Sequence, residues 1–304
     1  DRPEWNHAGE RKKGKAMFVI VGIVIVFVAV IGGYLMGHGN LHVLFQPAEL
    51  IIIGGAAIGA FLISSPPKVV KLVIKQFPTM LKPSVLEKDI CIELLMMLNR
   101  LFRKARQEGM LSLEQDVNDP HSSTCFNEFH RIMGMHEVLE FVCDNFKVAI
   151  SAGADPNELD NMMELDMEAR HSEEAIPSNM VKMVGDGLPG LGIVAAVLGV
   201  VLTMGKITEP PEVLGHHIGA ALVGTFLGVL ACYGFVGPMG TNLELRAKDS
   251  AALLSICRTA IAATIKGAAP LAALEYGRRA IPGEARPSIQ ELDEALKQWG
   301  TKDQ

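Results

Sequence analysis

Long apolar runs alternate with polar segments along the chain. Four of these runs contain no Asp, Glu, Lys, Arg or His: Met17–Met36, Leu50–Ser64, Leu188–Met204 and Ile218–Met239. A helix that crosses a bilayer needs about 20 apolar residues, with a range of about 17–25. Three runs reach that length, and Val43–Phe45 with Ala48 extends the second past Glu49, which is expected near a membrane interface. Because backbone groups in lipid must bond within their own segment, we predict four transmembrane helices; buried soluble helices are the alternative.

These spans divide the chain into predicted segments. The first transmembrane hairpin is residues 17–65, with spans 17–36 and 44–64, and the second is residues 188–239, with spans 188–204 and 218–239. Residues 66–187 are predicted to form a cytoplasmic helical domain, and residues 240–304 to form cytoplasmic C-terminal helices. Residues 1–16 are polar and charged, and we interpret them as a non-native or cytoplasmic extension ahead of Met17.

The distribution of charge predicts the orientation of the spans. Lys and Arg are frequent in residues 66–187 and after Met239, whereas the loop Gly37–Gln46 has none and the loop Gly205–His217 has only Lys206. Basic residues concentrate on the cytoplasmic side of membrane proteins. Both termini and the large middle region are therefore predicted to be cytoplasmic. The 5 cysteines form no CxxC pair, and a reducing compartment predicts free thiols.

The middle region has the periodicity of helices. Apolar residues recur at helical spacing over Val85–Glu108 and over His136–Ser151, and Gly109 ends the first of these segments. A third helix is predicted to begin at Asp155–Pro156, with Asp as N-cap and Pro at the first helical position, and to end at Pro177.

The tail is predicted to be helical as well. The helix of span four is expected to continue to about Ala280. A last short helix is expected to open at Ser288, because Ser288 and Glu291 have the spacing of a capping box. No segment of useful length has the two-residue period of a strand. The predicted fold class is an all-α membrane protein with four transmembrane helices and a large helical cytoplasmic domain.

Small residues and prolines distinguish the second pair of spans. Both spans carry small residues at close spacing, which lets helices approach each other in lipid: Gly190, Gly192, Ala195, Ala196 and Gly199 in span three, and Gly219, Gly224 and Gly228 in span four. Pro189 and Pro238 lie at the same predicted cytoplasmic depth. Ordinary helix packing explains the glycines, and it explains the matched prolines less well.

Two hydroxyl groups are candidates for a polar path through these spans. Thr225 lies inside span four, and Thr203 lies near the outer end of span three. Either hydroxyl could instead bond within its own helix, that of Thr225 to the carbonyl of Ala221. Because the apolar runs offer no carboxylate, an ion-moving function requires a partner subunit that supplies the charged group.

No enzyme and no metal site are predicted. No P-loop, Rossmann, GxSxG or HExxH motif occurs in a suitable strand–helix context. His38 with His42, and His216 with His217, offer fewer ligands than a metal site needs. We predict no cofactor and no nucleic-acid partner.

The segment Arg103–Glu114, with the sequence RKARQEGMLSLE, is charged and predicted to be cytoplasmic. On physical grounds it indicates a solvated helix end, because cations are favoured at the C-terminus by the helix dipole.

Six motifs occur along the chain: GGYLMGHG, QPAELIIIGGAAIG, ARQEGMLSLE, LPGLGIVAAVLGVV, VGTFLGVLACYGFVGP and LEYGRRAIPGEARPS. Together they make the chain resemble the MotA family, whose members are stator subunits of the bacterial flagellar motor. Their order and spacing also fit, and the resemblance extends from Met17 to about Leu296.

The resemblance implies a homopentameric ring around two copies of a single-span MotB-like partner in the bacterial inner membrane, in contact with the lipid bilayer. The partner carries the ion-binding Asp, and ion flow drives the rotor protein FliG. Pro189 and Pro238 match the family's prolines that couple ion passage to a change of shape, and Thr225 matches a hydroxyl of the conducting path. Arg106 and Glu114 match the charges that press on FliG.

The ion is predicted from one position. Sodium-driven relatives place a hydroxyl in span three where this chain has Ala196, whose methyl group offers sodium no oxygen ligand, so we predict protons. Two alternatives stay open: an ExbB/TolQ-like energiser of envelope processes, and a non-conducting membrane scaffold. The four predicted spans, the ARQEGMLSLE segment and the tail motif favour the MotA interpretation over the energiser.

Overall fold

The chain is built from helices. The computed structural model describes residues 8–153 and 155–300, and residues 1–7 of the predicted extension lie outside them. The helices are α1 (Ala8–Met36), α2 (Leu41–Leu44), α3 (Pro47–Ser64), α4 (Pro67–Gln76), α5 (Lys88–Glu108), α6 (Glu114–Asn118), α7 (His130–Met133), α8 (His136–Ala152), α9 (Pro156–Met204), α10 (Pro211–Leu230), α11 (Gly237–Ile265), α12 (Pro270–Ala280) and α13 (Ile289–Gly300). Short 3₁₀ turns occur at Phe77–Leu81 and Met110–Leu113, and a π-helical turn occurs at Ala231–Val236. No strand occurs in this part of the chain, and the all-α prediction is confirmed.

The helices belong to two compact units. The first contains the residues up to Pro83 together with Glu174–Leu245, and the second contains Ser84–Glu173 together with the residues from Arg246 onward. Helices α9 and α11 contribute residues to both units.

Four stretches of helix are long and apolar enough to cross a membrane. They are Phe18–Met36, Leu41–Ser64, and parts of Pro156–Met204 and Pro211–Ile265. The prediction of four spans is therefore confirmed. Helix α1 begins at Ala8, before Met17, so part of the predicted extension is helical.

The first unit packs span two against the second hairpin. Ile53 and Ala57 of α3 share a buried cluster with Leu188 and Ala195 of α9 and with Cys232. Most of the apolar side chains of Phe18–Met36 in α1 are exposed. An exposed apolar surface of this extent is typical of a face that meets lipid or another subunit.

The second unit has a conventional hydrophobic core. Its fully buried aromatic side chains are Phe102, Phe126, Phe129, Phe141 and Phe146. The core also holds four free cysteines: Cys91, Cys125, Cys143 and Cys257. Burial raises the pKa of the Cys91 and Cys143 thiols to about 12, and it raises the pKa of the other two as well.

The predicted end of a helix at Pro177 is wrong. Helix α9 runs from Pro156 to Met204 and contains both Pro177 and Pro189. A proline inside a helix removes one hydrogen bond and crowds the carbonyl four residues earlier. The segment after Pro177 stays helical because it is buried. Ser178 is enclosed, and Val181 packs on Leu243. Tertiary packing thus outweighs the local rule.

The predicted continuation of the span-four helix to about Ala280 is also wrong. Helix α11 ends at Ile265, and α12 begins at Pro270. Gly267 has φ of 88°, a value that favours glycine and ends the helix. Amide groups after α11 cap its end, since Ala268 N donates to Ala263 O at 3.0 Å. Pro270 then occupies the first turn of the next helix.

Two predicted helix starts, at Asp155–Pro156 and at Ser288, are confirmed. Asp155 Oδ1 accepts a hydrogen bond from Asn157 N at 2.8 Å, as an N-cap should. Ser288 Oγ accepts from Glu291 N at 3.1 Å, and Glu291 Oε2 accepts from Ser288 N at 2.6 Å. This pair is the reciprocal capping box that the spacing predicted.

Candidate functional site

Spans three and four touch through glycines, as the small residues predicted. A Cβ atom on Gly192 would lie 2.7 Å from Gly224 O, and one on Gly228 would lie 2.5 Å from Leu188 O. A Cβ on Gly199 would lie 2.7 Å from the Ala221 Cβ. Contacts this short with backbone atoms exclude larger residues at Gly192 and Gly228, so the two helices approach at backbone distance.

Glu49 reaches into this contact, which the sequence analysis missed. It lies in the first turn of α3, within the second candidate span, and it is only 7% exposed. A Cβ on Gly224 would lie 2.5 Å from Glu49 Oε2, and a Cβ on Gly199 would lie 3.4 Å from Oε1. Glu49 Oε2 has no hydrogen-bond partner among the described residues. The inference that the spans offer no carboxylate is therefore wrong for span two.

Ala196 and Thr225 lie at the edge of the same contact. A Cβ on Gly224 would lie 3.1 Å from Ala196 N, and one on Gly192 would lie 3.3 Å from Thr225 Cα. Both Ala196 and Thr225 are half-buried. The structure thus places these two predicted path residues beside the glycine contact that also receives Glu49.

The hydroxyl of Thr203 forms a hydrogen bond within its own helix. Thr203 is buried, and its Oγ1 donates to Gly199 O at 2.8 Å within α9. This is the intrahelical bond that the sequence analysis gave as the alternative to a path role.

The two prolines lie near one end of the paired spans. Pro189 is half-buried and follows Leu188, whose carbonyl faces Gly228. Pro238 is exposed and follows the π-helical turn, in which Gly237 N donates to Cys232 O five residues earlier. A proline lacks the amide that would restore the α-helical register, so the π-turn and Pro238 form one irregular element.

Helix α9 also contacts the chain around Pro238 near Gly185 and Gly240. A Cβ on Gly185 would lie 3.5 Å from Gly237 N, and one on Gly240 would lie 2.7 Å from the Lys182 Cγ. Lys182 pairs with Glu244 across the same helices.

The predicted charged pair occupies a turn in the second unit. Arg106 lies in the last turn of α5, Gly109 ends that helix with φ of 89°, and Glu114 opens α6. Arg106 and Glu114 are both exposed. The helix end predicted at Gly109 is confirmed.

A partly buried network holds this turn in place. Lys104 Nζ lies 2.7 Å from Asp116 Oδ2, and Ser123 Oγ donates to Asp116 Oδ1 at 2.6 Å. The hydrogen bond to Asp116 raises the pKa of Lys104 and so favours its charged form. The network fixes α6 on α5 and leaves the neighbouring exposed charges available to a partner.

Comparison with known proteins gives consistent matches along the chain. Residues 20–109 match the family model "Motility protein A N-terminal", and residues 133–255 match the "MotA/TolQ/ExbB proton channel family". Motility protein A of Salmonella typhimurium is 38% identical over 281 residues, which are 92% of this chain and 95% of the relative. The chain belongs to the MotA family.

Two solved structures agree with the MotA assignment. The structure of C. jejuni MotAB has a TM-score of 0.75 and 21% identity, and the match covers 90% of this chain and 99% of that chain. The flagellar MotAB stator complex from Bacillus subtilis has a TM-score of 0.69 and 25% identity, with 84% and 92% covered. The predicted fold and the predicted MotA-type stator subunit are confirmed, and the matched family is described as one of proton channels.

Proposed function

We propose that this MotA-family chain forms a homopentameric ring around a single-span MotB-like partner in the bacterial inner membrane, with both termini in the cytoplasm. The ring and partner conduct protons and drive the rotor protein FliG. The glycine contact between spans three and four carries the proposal, because Ala196 and Thr225 both lie beside it in a family of proton channels.

The mechanism begins at the partner's aspartate. Its protonation removes a charge that is costly in lipid, and its deprotonation restores that charge. The ring changes its contact with the partner between these two states. Pro189 and Pro238 couple the change to the helices of the second hairpin, because each proline removes a helical hydrogen bond and a π-helical turn precedes Pro238.

The output of the cycle is a push on the rotor. Arg106 and Glu114 are exposed charges on a braced turn, and they meet complementary charges of FliG. Such charges act on the rate and specificity of engagement more than on raw affinity.

Protons are the proposed ion. Ala196 has no side-chain oxygen, and the hydroxyl of Thr203 is bonded within its own helix, so Glu49 is the side chain whose oxygen atoms lie against Gly199 and Gly224. A sodium ion would need several oxygen ligands in place of its water.

Native mass spectrometry of the chain co-expressed with its partner tests the assembly, and swimming without sodium tests the ion. We expect a five-to-two complex with an aspartate-bearing partner, swimming in sodium-free medium, and loss of swimming with a protonophore. A TonB- or Tol-type partner would indicate an energiser, and a homo-oligomer alone would indicate a scaffold. Strict sodium dependence would contradict the choice of protons.

A further inference from the structure

Glu49 is a buried carboxyl group that the mechanism above does not use. It is 7% exposed, and its Oε2 lacks a hydrogen-bond partner within the described residues. A charge in this position is costly unless it is paired. An ionisable residue within a span therefore indicates a function by default.

The surroundings of Glu49 are shaped for a carboxyl group and lack a counter-ion. Gly199 and Gly224 face its two oxygen atoms, and side chains at either glycine would take up the space. Among the described residues, helix α3 has no other charged residue, and residues 188–204 of α9 have none. The titratable groups on the packed and adjoining segments are His42 in α2, Lys206 after α9, and Glu212, His216 and His217 in α10. His217 lies seven residues before Gly224, which is about two helical turns.

A purely structural role explains Glu49 less well. Acidic residues are favoured in the first turn of a helix because they complement its dipole. Glu212 has that position in α10, and its side chain is exposed. Glu49 has the same position in α3, but its carboxyl group is enclosed by two other helices. The dipole alone does not require that burial.

We propose that Glu49 is a second proton-binding group on the ion path, in addition to the partner's aspartate; this inference rests on the proposed function. The carboxylate takes up one proton from water on the outer side, and the resulting carboxyl group releases it towards the partner's carboxylate. Glu49 returns to its starting state in each cycle, so only a proton is moved. Gly199 and Gly224 leave the space in which the protonated group is held between the helices.

The experiment compares proton flux through complexes reconstituted with the partner in vesicles, over a series of outer pH values. We expect Glu49→Gln to lower the flux by about tenfold or more and to flatten its dependence on outer pH. Glu49→Asp retains a titratable group and should keep a pH-dependent flux. Glu212→Gln is the matched control, because Glu212 is also an acid in the first turn of a span but has an exposed side chain. The flux of this variant should equal that of the original chain.

Gly224→Ala tests the space around the carboxyl group, and infrared spectroscopy separates proton binding from packing. Gly224→Ala fills the space of the carboxyl group while leaving its charge, and it should also reduce flux. The carbonyl-stretch band of a protonated carboxyl group should be absent from Glu49→Gln and present in a complex that lacks the partner's aspartate.

The outcomes distinguish this inference from the proposed function. Original flux and pH dependence in assembled Glu49→Gln would overturn the role of Glu49. Equal loss of flux and of assembly in Glu49→Gln and Glu49→Asp would assign Glu49 to packing and would also overturn it. Flux that survives removal of the partner's aspartate would instead contradict the proposed function.

Discussion

Charged residues of the tail motif LEYGRRAIPGEARPS form ion pairs with one another. Glu275 accepts hydrogen bonds from Arg278 at 2.7 and 2.8 Å and from Arg279 Nε at 2.8 Å. Arg278 also donates to Pro287 O at 2.9 Å, which ties α12 to the segment before α13. These bonds, those from Arg278 first, lower the pKa of Glu275 to about 2. The motif is therefore an ion-pair network that holds the chain after α12.

Glu275→Gln should destabilise the protein in a pH-dependent way. The pKa of Glu275 is lowered on folding, so its stabilisation is complete above the unfolded value near 4.5 and is lost as pH falls towards about 2. Since Arg279 is well exposed, we expect a loss of only about 1–2 kcal/mol at pH 7. Urea unfolding of the purified complex measures it, with exposed Glu284→Gln as control. A constant difference between pH 7 and pH 3 would contradict the ion-pair explanation.

Gly228→Ala should weaken the contact between spans three and four. The new methyl group would meet Leu188 O and the backbone of Gly192, neither of which can move like a flexible side chain. Overpacking of this kind costs about 1–3 kcal/mol. Gly190→Ala is the matched control, because nothing lies within 4 Å of its Cβ position. Thermal stability of the complex measures the effect, and equal values for the two variants would contradict the described contact.

At the scale of helices, local signals predicted starts better than ends. Asp155 and Ser288 predict the starts of their helices, because capping bonds join residues that are close in sequence. Pro177 gave a false end, because the packing that carries α9 past it comes from residues distant in sequence such as Leu243. Gly267 carried a usable signal for the end of α11, and Pro270 supported it.

The candidate site was predictable only in part for a similar reason. Small residues and prolines predicted close helix packing in the second hairpin, because their pattern lies within one segment of the sequence. Hydropathy treats each carboxylate as solvated, so the sequence predicts Glu49 near a membrane interface. Its burial depends on Gly199 and Gly224, which are far along the chain. An acid directly before a long apolar run and after a helix-starting Pro was the available signal.

The prolines of the second hairpin lead to a prediction about helix geometry. Pro189→Ala and Pro238→Leu each restore a missing amide, which favours straight α-helix by up to about 3 kcal/mol. We expect stable, assembled complexes that produce no torque. Tethered-cell rotation with membrane levels of the complex measures this. Pro177→Ala, a third proline inside a helix but outside the predicted spans, is the control and should rotate. Normal swimming of both variants would contradict the coupling role of Pro189 and Pro238.

At the scale of the whole molecule, the exposed turn should decide how the stator engages its rotor. Arg106→Glu reverses one charge without touching the Lys104–Asp116 pair that braces the turn. We expect weaker engagement by about 1 kcal/mol, or about fivefold, and reduced swimming. A complementary charge reversal on FliG should restore part of the loss. If Arg106→Glu, alone or with Glu114→Lys, left swimming unchanged, the turn would not be the contact.

The buried cysteines make this protein a convenient background for chemical labelling. All five described thiols are buried and free, and those of the second unit have raised pKa values. Because the thiolate is the reactive form, maleimides and crosslinkers should leave the native chain unmodified at neutral pH. A single new cysteine, for example Arg106→Cys on the exposed turn, would then report its own accessibility in living cells. Contact with the rotor could be followed as protection of that one thiol, without removing a native residue from the core.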